Sequence, residues 1–570
     1  MTSSKNKKIA VIGMACHFPG AQNISEYWNN LCNEVDSIEE IPIERWDWRD
    51  DYYRMNGELF RSTSNRGGFI KDIDKFDPEY FRVSDKQAIQ MDPLQRQWLE
   101  VSVEALADAG YTKDDVWGKS VGVFVGARVG QFYHTLEEID SETINGYGQN
   151  FISVHLSHFL NLKGPNMVID AACASSLTAI NLAINSINSG ESEMAFAGGV
   201  EILEPTTYEV LSPSKIICPD GKCKTFSNNA NGIAIGEGCG VILLKALDKA
   251  IADGDKIYGV IDGGALNNDG NTMGIKTPDP KAQEDLVLQA IKNSDIDGST
   301  ISYIEAHGTG TMIGDPIELK SLTKVLRRYS GKNNYCGIGS VKCNIGHLLC
   351  ASAVASVIKV LLCITKKQLP ASINCEPLTT RFKFEGSPLY VVKSLTNWQP
   401  QDGVLRAGVS AFGLGGSNAH IIISNDSVPE SCKAELTPKG EKVQFNRKVL
   451  WNNNHAIKHP LNSSSSHNKH EETISKVDTL KSIQEWLKNT VSEELHISDI
   501  DLNKNLQIYG VDSIFIAEII KRMDKELNID TMDPIVFLEY STLDSLAKYM
   551  VETYNTQLLA AFGDNIKRKN

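Results

Sequence analysis

The stretch Asp170–Leu177, with the sequence DAACASSL, sets a single cysteine, Cys173, among small residues. The run Ala174–Ile180 that follows predicts a tight turn opening into a helix. At a helix N-terminus the macrodipole and the free N–H groups favour a thiolate, so we expect a lowered pKa for the Cys173 thiol. A lone cysteine among small residues is more often a buried structural residue, so the stretch needs support from elsewhere in the chain.

Two histidines further along the chain provide that support. His307 lies in EAHGTGT (Glu305–Thr311), and His347 ends the string VKCNIGH (Val341–His347). A thiol that carries an acyl group needs neighbours that stabilise charge on the carbonyl it attacks. One cysteine with two histidines in glycine-containing strings therefore indicates acyl-transfer chemistry.

Longer strings give these residues a family context. KIAVIGMACHFPGA (Lys8–Ala21) is followed in order by MDPLQRQWLEVSVEALADAGY, DAACASSL, CPDGKCKTF, GEGCGVILLK, EAHGTGTMIGDPIE, GSVKCNIGH and GVSAFGLGGSNAH. The set resembles the polyketide-type β-ketoacyl synthases of the thiolase-like superfamily and extends over residues 8–424, about three quarters of the chain.

The resemblance implies a decarboxylative Claisen condensation and assigns a role to each matching residue. An acyl chain is carried as a thioester, and a malonyl thioester loses carbon dioxide and attacks it, which lengthens the chain by two carbons. The implied residues are Cys173 as nucleophile, His307 and His347 around the malonyl thioester, Lys342 as the residue that orders the site, the backbone N–H groups of Cys173 and Leu414 as oxyanion hole, and Thr309, Thr311 and Phe412 as substrate-binding positions. No metal is expected.

Several positions depart from the family pattern. Ala171 stands where the family usually has Thr, Ala174 and Cys343 stand where it has Ser, and Leu349 stands where polyketide members often carry Glu. Two alternatives to condensation follow: a decarboxylase or acyl relay that does not extend chains, and a non-catalytic scaffold. The presence of His307 weighs against the non-condensing members, which commonly lack it.

The C-terminal region carries a second motif, GVDSI (Gly510–Ile514). Ile516, Ile520, Met523 and Leu527 recur at helical spacing and predict an amphipathic helix that starts at Ser513. In isolation Asp512-Ser513 indicates only a helix cap. Behind a ketosynthase, the segment resembles an acyl carrier protein, in which Ser513 carries pantetheine 4′-phosphate covalently.

The charge of the C-terminal segment agrees with its interpretation as a carrier domain. Between Ser475 and Tyr554 there are 15 Asp and Glu against 8 Lys and Arg, so that short segment holds about half of the chain's net charge of −14. An acidic carrier surface suits recognition by basic patches, although an acidic solvated bundle would have the same composition. The acidic balance argues against a nucleic-acid partner.

The N-terminal sequence and the cysteines bear on location. MTSSKNKK lacks the apolar region of a signal peptide, and we find no apolar stretch of 18 residues, so no membrane span is expected. Twelve cysteines in a chain of 570 residues fit reduced thiols in the cytoplasm. Cys218 and Cys223 in CPDGKC lack a second ligand pair, which indicates a loop with buried thiols.

Composition also suggests domain boundaries. We assign residues 1–425 to the ketosynthase, 426–474 to a post-ketosynthase segment and linker, 475–555 to the carrier domain and 556–570 to a tail. The run SSSSHNKHEE (Ser463–Glu472) predicts a flexible linker, whereas Phe445, Leu450 and Trp451 are expected to pack back onto the ketosynthase. About 50 residues between the domains leave no room for an acyltransferase, which needs more than a typical single domain.

The missing acyltransferase defines the expected partners. A separate acyltransferase must load malonyl, as in the trans-acyltransferase polyketide synthases that the chain resembles. A phosphopantetheinyl transferase, upstream and downstream carrier proteins and a homodimer through the ketosynthase are also implied. The expected fold is α/β: a five-layer α/β/α/β/α thiolase-like ketosynthase of two similar halves, followed by a small all-α four-helix carrier domain.

Overall fold

The computed structural model describes residues 7–50, 52–55, 58–136, 139, 141–400, 403–436, 443–450, 479–495, 497, 500–509, 511 and 513–567. Gly510, Asp512, Trp451 and the predicted linker Ser463–Glu472 lie outside these residues.

In chain order the strands are β1 (Ile9–His17), β2 (Ile38–Glu40), β3 (Tyr52–Met55), β4 (Glu58–Arg61), β5 (Arg66–Gly68), β6 (Lys75–Phe76), β7 (Val121–Gly126), β8 (Asn166–Ile169), β9 (Met194–Glu201), β10 (Gly238–Ala246), β11 (Gly259–Asn268), β12 (Tyr303–Glu305), β13 (Cys336–Gly339), β14 (Gln368–Leu369), β15 (Leu389–Val391), β16 (Thr396–Asn397), β17 (Arg406–Phe412), β18 (Ser417–Ser424) and β19 (Lys448–Val449).

The helices are α1 (Ile24–Cys32), α2 (Pro78–Phe81), α3 (Asp85–Gln90), α4 (Pro93–Asp108), α5 (Lys113–Val116), α6 (Thr143–Tyr147), α7 (Phe151–Leu160), α8 (Ser175–Ser189), α9 (Pro205–Leu211), α10 (Leu247–Asp253), α11 (Pro280–Asn293), α12 (Gly314–Arg327), α13 (Lys342–Ile345), α14 (Ser352–Lys366), α15 (Thr479–Leu495), α16 (Ser513–Arg522), α17 (Val536–Glu539) and α18 (Leu543–Lys567).

The region that the sequence assigns to a ketosynthase consists of two halves with the same strand order. The first half has the order β8-β7-β9-β10-β1, and the second has β13-β12-β17-β18-β11, with β15 added at its edge. In both halves the first three strands in this order are parallel to one another and the later pairings are antiparallel. Three residue pairs between β1 and β11 join the halves into one sheet of 11 strands.

Helices α8 and α14 lie between the two halves and contact strands of both. On the outer faces, α4 and α7 cover the first half, and α11, with α12 packed on it, covers the second. Alternating residues of β1 show how the layers form: Ile9 and Val11 join the central core, whereas Ala10 and Ile12 join the outer one. The predicted five-layer α/β fold of two similar halves is confirmed.

Helix α14 corrects one expectation from the sequence. Leu349–Lys366, which includes this helix, is an 18-residue stretch with a mean hydropathy of 1.8, so the expected absence of an apolar stretch of this length is wrong. It is 83% buried in the ketosynthase. A central helix packed between two sheets is apolar on all sides because every side meets core residues.

The segment after the ketosynthase returns to its surface as expected. Strand β19 pairs with β6, and the ring of Phe445 lies 5.0 Å from that of Tyr80. Leu450 packs against the outer core of the first half, and its N–H donates to the carbonyl oxygen of Asp74. Arg447 forms an ion pair of 3.0 Å with the buried Glu100. These contacts fix the path of the chain as it leaves the ketosynthase.

The carrier domain is a helical bundle built from α15, α16, α17 and α18. Helix α16 begins at Ser513, as predicted, and continues into a π-helical turn at Met523–Leu527. The predicted apolar face is confirmed, because Ile516, Ile520, Met523 and Leu527 are buried in one core. Leu558, within the predicted tail, is buried in that core as well.

Candidate active site

Cys173 lies in a strained turn between β8 and α8. Ala172, directly before it, has a φ of 49°, in the left-handed region that side chains with a Cβ rarely adopt. The Ser175 hydroxyl holds the turn, since its Oγ accepts from the N–H of Ala171 at 2.8 Å and donates to the carbonyl oxygen of Ala172 at 2.6 Å. The predicted turn into a helix is therefore confirmed.

Two glycines allow neighbouring elements to approach this turn. A Cβ on Gly126, at the end of β7, would lie 2.4 Å from the backbone nitrogen of Ser176. A Cβ on Gly413 would lie 2.4 Å from the carbonyl oxygen of Ala171. Both distances are shorter than any real Cβ contact, so only glycine lets β7 and the loop after β17 pack against the turn.

The pKa of the Cys173 thiol is raised, not lowered. Burial is the largest cause, and the negative charge of Glu201 adds to it. The backbone N–H of Leu414, the charge of Lys342 and the N–H of Cys173 act in the opposite direction. The expected lowering at the helix N-terminus is wrong in sign because the sequence did not show how far the thiol is removed from water. Both N–H groups assigned to the oxyanion hole nevertheless lie at the sulfur.

The two histidine rings lie together, with their centroids 5.5 Å apart and their planes at 84°. Nδ1 of His307 accepts from the N–H of Phe412 at 3.3 Å, and Nδ1 of His347 accepts from the N–H of Leu349 at 3.1 Å. Burial and the charge of Lys342 lower the pKa of each ring well below its ordinary value. Each neutral ring therefore carries its proton on Nε2 and presents an N–H donor.

Lys342 positions the His307 segment. Its Nζ donates to the carbonyl oxygen of His307 at 2.5 Å, and its side chain is buried. Burial lowers the pKa of Lys342, while the carboxylate of Glu305 acts against that shift. Its charge adds to the effect of burial in lowering the pKa of both histidines and opposes the rise in the pKa of Cys173.

Three carboxylates that we did not single out in the sequence hold the same segment. Glu318 accepts from the N–H groups of His307 and Gly308 at 2.8 and 2.9 Å. Asp315 accepts from three backbone N–H groups, those of Phe226, Thr309 and Gly310. Glu305 accepts from the N–H of Val341 and pairs with the fully buried Lys359 at 2.7 Å. All three lie in the string EAHGTGTMIGDPIE, where acidic residues among glycines were the available signal.

A cavity of about 410 Å³ brings the predicted site residues together. Its wall includes Cys173, His307, His347, Thr309, Thr311, Phe412 and Leu414. The hydroxyl oxygens of Thr309 and Thr311 lie 3.2 Å apart. Lys342 is not part of the wall and acts from behind it. Four positions depart from the family pattern. Ala171 and Ala174 lie in the turn that contains Cys173, and Leu349 lines the cavity. Cys343 is buried beside Cys223.

The carrier domain borders this cavity. Ala517, Glu518 and Lys521, which lie one to two turns after Ser513 on α16, form part of its wall. Met273, Ile313 and Ile317 of the ketosynthase share a hydrophobic cluster with carrier residues.

Ion pairs flank this apolar contact between the two domains. The guanidinium of Arg381 lies 2.7 Å from Asp524, and Lys320 pairs with Asp533. Lys215 lies 3.8 Å from Glu494. In each pair the ketosynthase supplies the cation and the carrier domain supplies the carboxylate, as the acidic charge of residues 475–554 predicts.

Comparisons with known protein families match the whole of this architecture. Residues 6–250 match the N-terminal domain of β-ketoacyl synthase, and residues 258–376 match its C-terminal domain. Residues 379–487 match the ketoacyl-synthetase C-terminal extension, and residues 485–550 match the phosphopantetheine attachment site.

Curated relatives and solved structures agree. Polyketide synthases PksM and PksN of Bacillus subtilis strain 168 are 42% and 43% identical over 441 and 444 residues, 76% and 74% of this chain. The matches span only 10% and 8% of those two relatives. The ketosynthase from module 6 of the bacillaene synthase of Bacillus subtilis 168 is 40% identical, with a TM-score of 0.69, covering 73% of this chain and 72% of that one. An oxazolomycin ketosynthase domain from Streptomyces albus JA3453 is 33% identical, with a TM-score of 0.69, covering 74% and 75%.

Fold, site and comparisons together define a thiolase-like ketosynthase with an attached carrier domain. The chain belongs to the β-ketoacyl synthase family, as a polyketide-synthase ketosynthase fused to a phosphopantetheine-binding carrier domain. The attachment domain implies covalent pantetheine 4′-phosphate. The structure fits this group, because the helix that begins at Ser513 forms the edge of the cavity that contains Cys173.

Proposed function

We propose that this protein lengthens an acyl chain held on Cys173 by two carbons, using a malonyl unit carried on Ser513 and releasing carbon dioxide. The observation that carries the proposal is the single cavity lined by Cys173, His307 and His347 and bordered by the carrier helix α16. A cysteine alone would support acyl transfer. The addition of two neutral histidine donors supports carbon–carbon bond formation.

Cys173 performs the first half-reaction. Its Sγ attacks the carbonyl of an incoming acyl thioester, the carbon–sulfur bond of that thioester breaks, and the departing thiol takes the proton from Cys173. The N–H groups of Cys173 and Leu414 are the proposed oxyanion hole, since both act to lower the pKa of the adjacent thiol. Donors fixed in place before the reaction need no reorganisation when charge develops.

His307 and His347 act in the second half-reaction. When bound, the pantetheine arm supplies the terminal thiol that holds malonyl as a thioester. Nε2–H of each histidine donates to the carbonyl oxygen of that thioester, where negative charge develops as carbon dioxide leaves. The carbon that lost carbon dioxide then forms a bond to the acyl carbonyl on Cys173, the carbon–sulfur bond to Cys173 breaks, and the released thiolate takes up a proton.

Neutral histidine rings suit this donor role. The lowered pKa values mean that neither ring is a cation in the buried site, and each neutral ring still keeps its Nε2–H as a donor. Thr309, Thr311 and Phe412 line the same cavity and would orient the extender.

Separate proteins would prepare and continue the reaction. We propose a separate acyltransferase that loads malonyl, a phosphopantetheinyl transferase that modifies Ser513, and carrier proteins upstream and downstream, in the manner of trans-acyltransferase synthases. The chain's own carrier domain is the proposed source of the extender, since it contacts the entrance of its own ketosynthase through complementary charges.

A homodimer and a cytoplasmic location complete the proposal. Strand β8 is the outermost strand of the sheet, and edge strands need a covering partner. Met167 on β8 is an exposed apolar side chain, as are Ile144 and Tyr147 on α6, which contacts α7, the helix packed on β8. A dimer mass in sedimentation analysis is expected, and a monomer would contradict it.

The twelve free cysteines suit a reducing compartment such as the cytoplasm.

Separating the two half-reactions tests the proposed roles. We expect His307→Ala to retain acylation of Cys173 by a diffusible acyl thioester but to lower carbon dioxide release about a hundredfold. Cys173→Ala is expected to lose acylation. Wild-type carbon dioxide release by His307→Ala, in a variant with unchanged thermal stability, would contradict the role of that histidine.

A further inference from the structure

A second cavity of about 200 Å³ adjoins the one that contains Cys173. Arg128 and Leu211 belong to the walls of both cavities, so the side chain of Arg128 stands at their junction. Glu201, in the wall of the second cavity, also contributes to the raised pKa of the Cys173 thiol in the first. The two cavities thus meet at Arg128, and an acyl chain on Cys173 long enough to pass that side chain would reach the second cavity.

The wall of the second cavity is more polar than a site for a hydrocarbon chain would be. Half of its twelve lining residues are polar or charged, namely Arg128, Gln131, Glu201, Glu204, Thr206 and Thr207. A hydrocarbon chain placed against these groups would remove them from water without offering hydrogen bonds in return, so a cavity with this wall favours an occupant that can form hydrogen bonds.

Arg128 is held in one orientation at the junction. Its Nε lies 2.7 Å from Oε1 of Glu201, and one of its terminal nitrogens donates to the Thr207 hydroxyl at 2.8 Å. Glu201 is only 1% exposed, and its other oxygen accepts from the N–H of Cys350 at 3.4 Å. The Arg128 side chain itself is 37% exposed toward the cavities. A guanidinium fixed on two sides therefore presents its remaining N–H groups to a ligand.

The charges of the wall restrict the kind of ligand. Glu201 already neutralises Arg128, and Glu204 adds a second carboxyl group, with the pKa of Glu204 raised to about 7 by burial and by the nearby Asp92. An anionic group would meet excess negative charge here. A neutral oxygen acceptor can bind the guanidinium N–H groups without that repulsion.

We propose that Arg128 is a specificity-determining residue that selects acyl chains bearing a neutral hydroxyl or carbonyl group over saturated hydrocarbon chains of the same length. This inference rests on the proposed function, because it concerns the acyl chain delivered to Cys173. The substrate class is a chain that keeps oxygen functions, bound with one of them in the second cavity against Arg128. The Arg128–Glu201 pair is thus part of acyl recognition as well as of the fold.

The test measures acylation of Cys173 by mass spectrometry with diffusible thioesters of one chain length, unsubstituted or with a hydroxyl at successive carbons. Acylation exchanges one thioester for another and precedes condensation. We expect the wild-type protein to react about tenfold faster with at least one hydroxylated isomer than with the unsubstituted chain. Arg128→Met is expected to bring this ratio close to one.

Two further variants guard against misfolding, since Arg128→Met leaves Glu201 buried without its partner. Arg128→Lys keeps the charge, and Thr207→Val removes one hydrogen bond of the guanidinium; both are expected to give intermediate ratios. Arg328→Met, the same chemical change at an exposed arginine outside both cavities, should keep the wild-type ratio.

The outcomes separate this inference from the proposed function. Equal acylation by all chains in the wild-type protein, or a ratio unchanged in all three variants, would overturn the role of Arg128 and leave condensation intact. Failure of every thioester to acylate Cys173 would overturn both.

Discussion

At the scale of residues, burial decides the chemistry of the site. The Cys173 thiol has a raised pKa, whereas His307 and His347 have pKa values well below the ordinary value for histidine. In all three cases removal from water disfavours the charged form and is the largest cause. Lys342 adds to the effect on the histidines and opposes it at the thiol. The site therefore holds neutral groups that become useful when charge develops on a substrate.

These shifts predict different pH dependence for the two half-reactions. Below its raised pKa, Cys173 is mostly protonated, so the thiolate fraction and the acylation rate should rise about tenfold per pH unit from about pH 6 to about pH 9. Both histidines are already neutral over this range, so carbon dioxide release should be flat. The rates are measured separately with an acyl thioester alone and with malonyl-loaded protein alone. An acylation rate that levels off near neutral pH would contradict the raised pKa.

At the scale of elements, close packing around the cysteine turn fixes the position of Cys173, the proposed nucleophile. Strand β7 ends at Gly126, against the first turn of α8, and the loop after β17 meets the other side of the turn at Gly413. The turn between β8 and α8, with its positive φ at Ala172, is thus held by packing on both sides.

Gly126→Ala should disturb this packing. Its Cβ would lie 2.4 Å from the backbone nitrogen of Ser176, so either β7 or α8 must shift. Overpacking of this kind typically costs about 1–3 kcal/mol, and we expect a lower melting temperature together with at least about tenfold slower acylation of Cys173. Gly331→Ala is the matched control, because a Cβ there meets no atom within 4 Å. Wild-type stability and acylation in Gly126→Ala would show that the turn tolerates displacement.

Much of the local structure around Cys173 and Ser513 was predictable from the sequence. The turn and helix after Cys173 and the amphipathic helix from Ser513 follow from local spacing. The gathering of Cys173, His307 and His347 came from the family resemblance. The sign of the Cys173 pKa shift could not be predicted, because the burial that dominates it arises from the folded surroundings of the thiol and not from its own helix. The second cavity and the anchoring of Arg128 by Glu201 likewise arise only when β7 and β9 pair.

At the scale of the whole molecule, the carrier domain and the ketosynthase form complementary surfaces. Arg381 and Lys320 on the ketosynthase face Asp524 and Asp533 on the carrier domain. Arg381 is largely buried in this contact, so its charge is less screened than a surface charge. The arrangement keeps α16 at the entrance of the cavity and explains why the short C-terminal domain concentrates so much of the acidic charge.

Charge reversal tests this arrangement. Arg381→Glu should lower extension from the chain's own carrier domain about tenfold, and Arg381→Glu combined with Asp524→Arg should recover part of the loss. Acylation of Cys173 by a diffusible thioester should be the same in all these proteins, because it bypasses the contact. Arg328→Glu, an exposed reversal on the same domain, is the control. Equal extension by the single and double variants and the wild type would show that the contact does not guide the carrier.

The most direct test of condensation follows carbon atoms. The pantetheinylated protein, loaded by a separate acyltransferase with malonyl labelled at all three carbons with carbon-13, is given an unlabelled acyl thioester, and the peptide that contains Ser513 is weighed. The predicted product on Ser513 is a β-ketoacyl group that retains two labelled carbons, with the third recovered as carbon dioxide, and Cys173→Ala should yield none of it. Labelled acetyl on Ser513 without extension, or labelled malonyl left intact beside acylated Cys173, would contradict condensation.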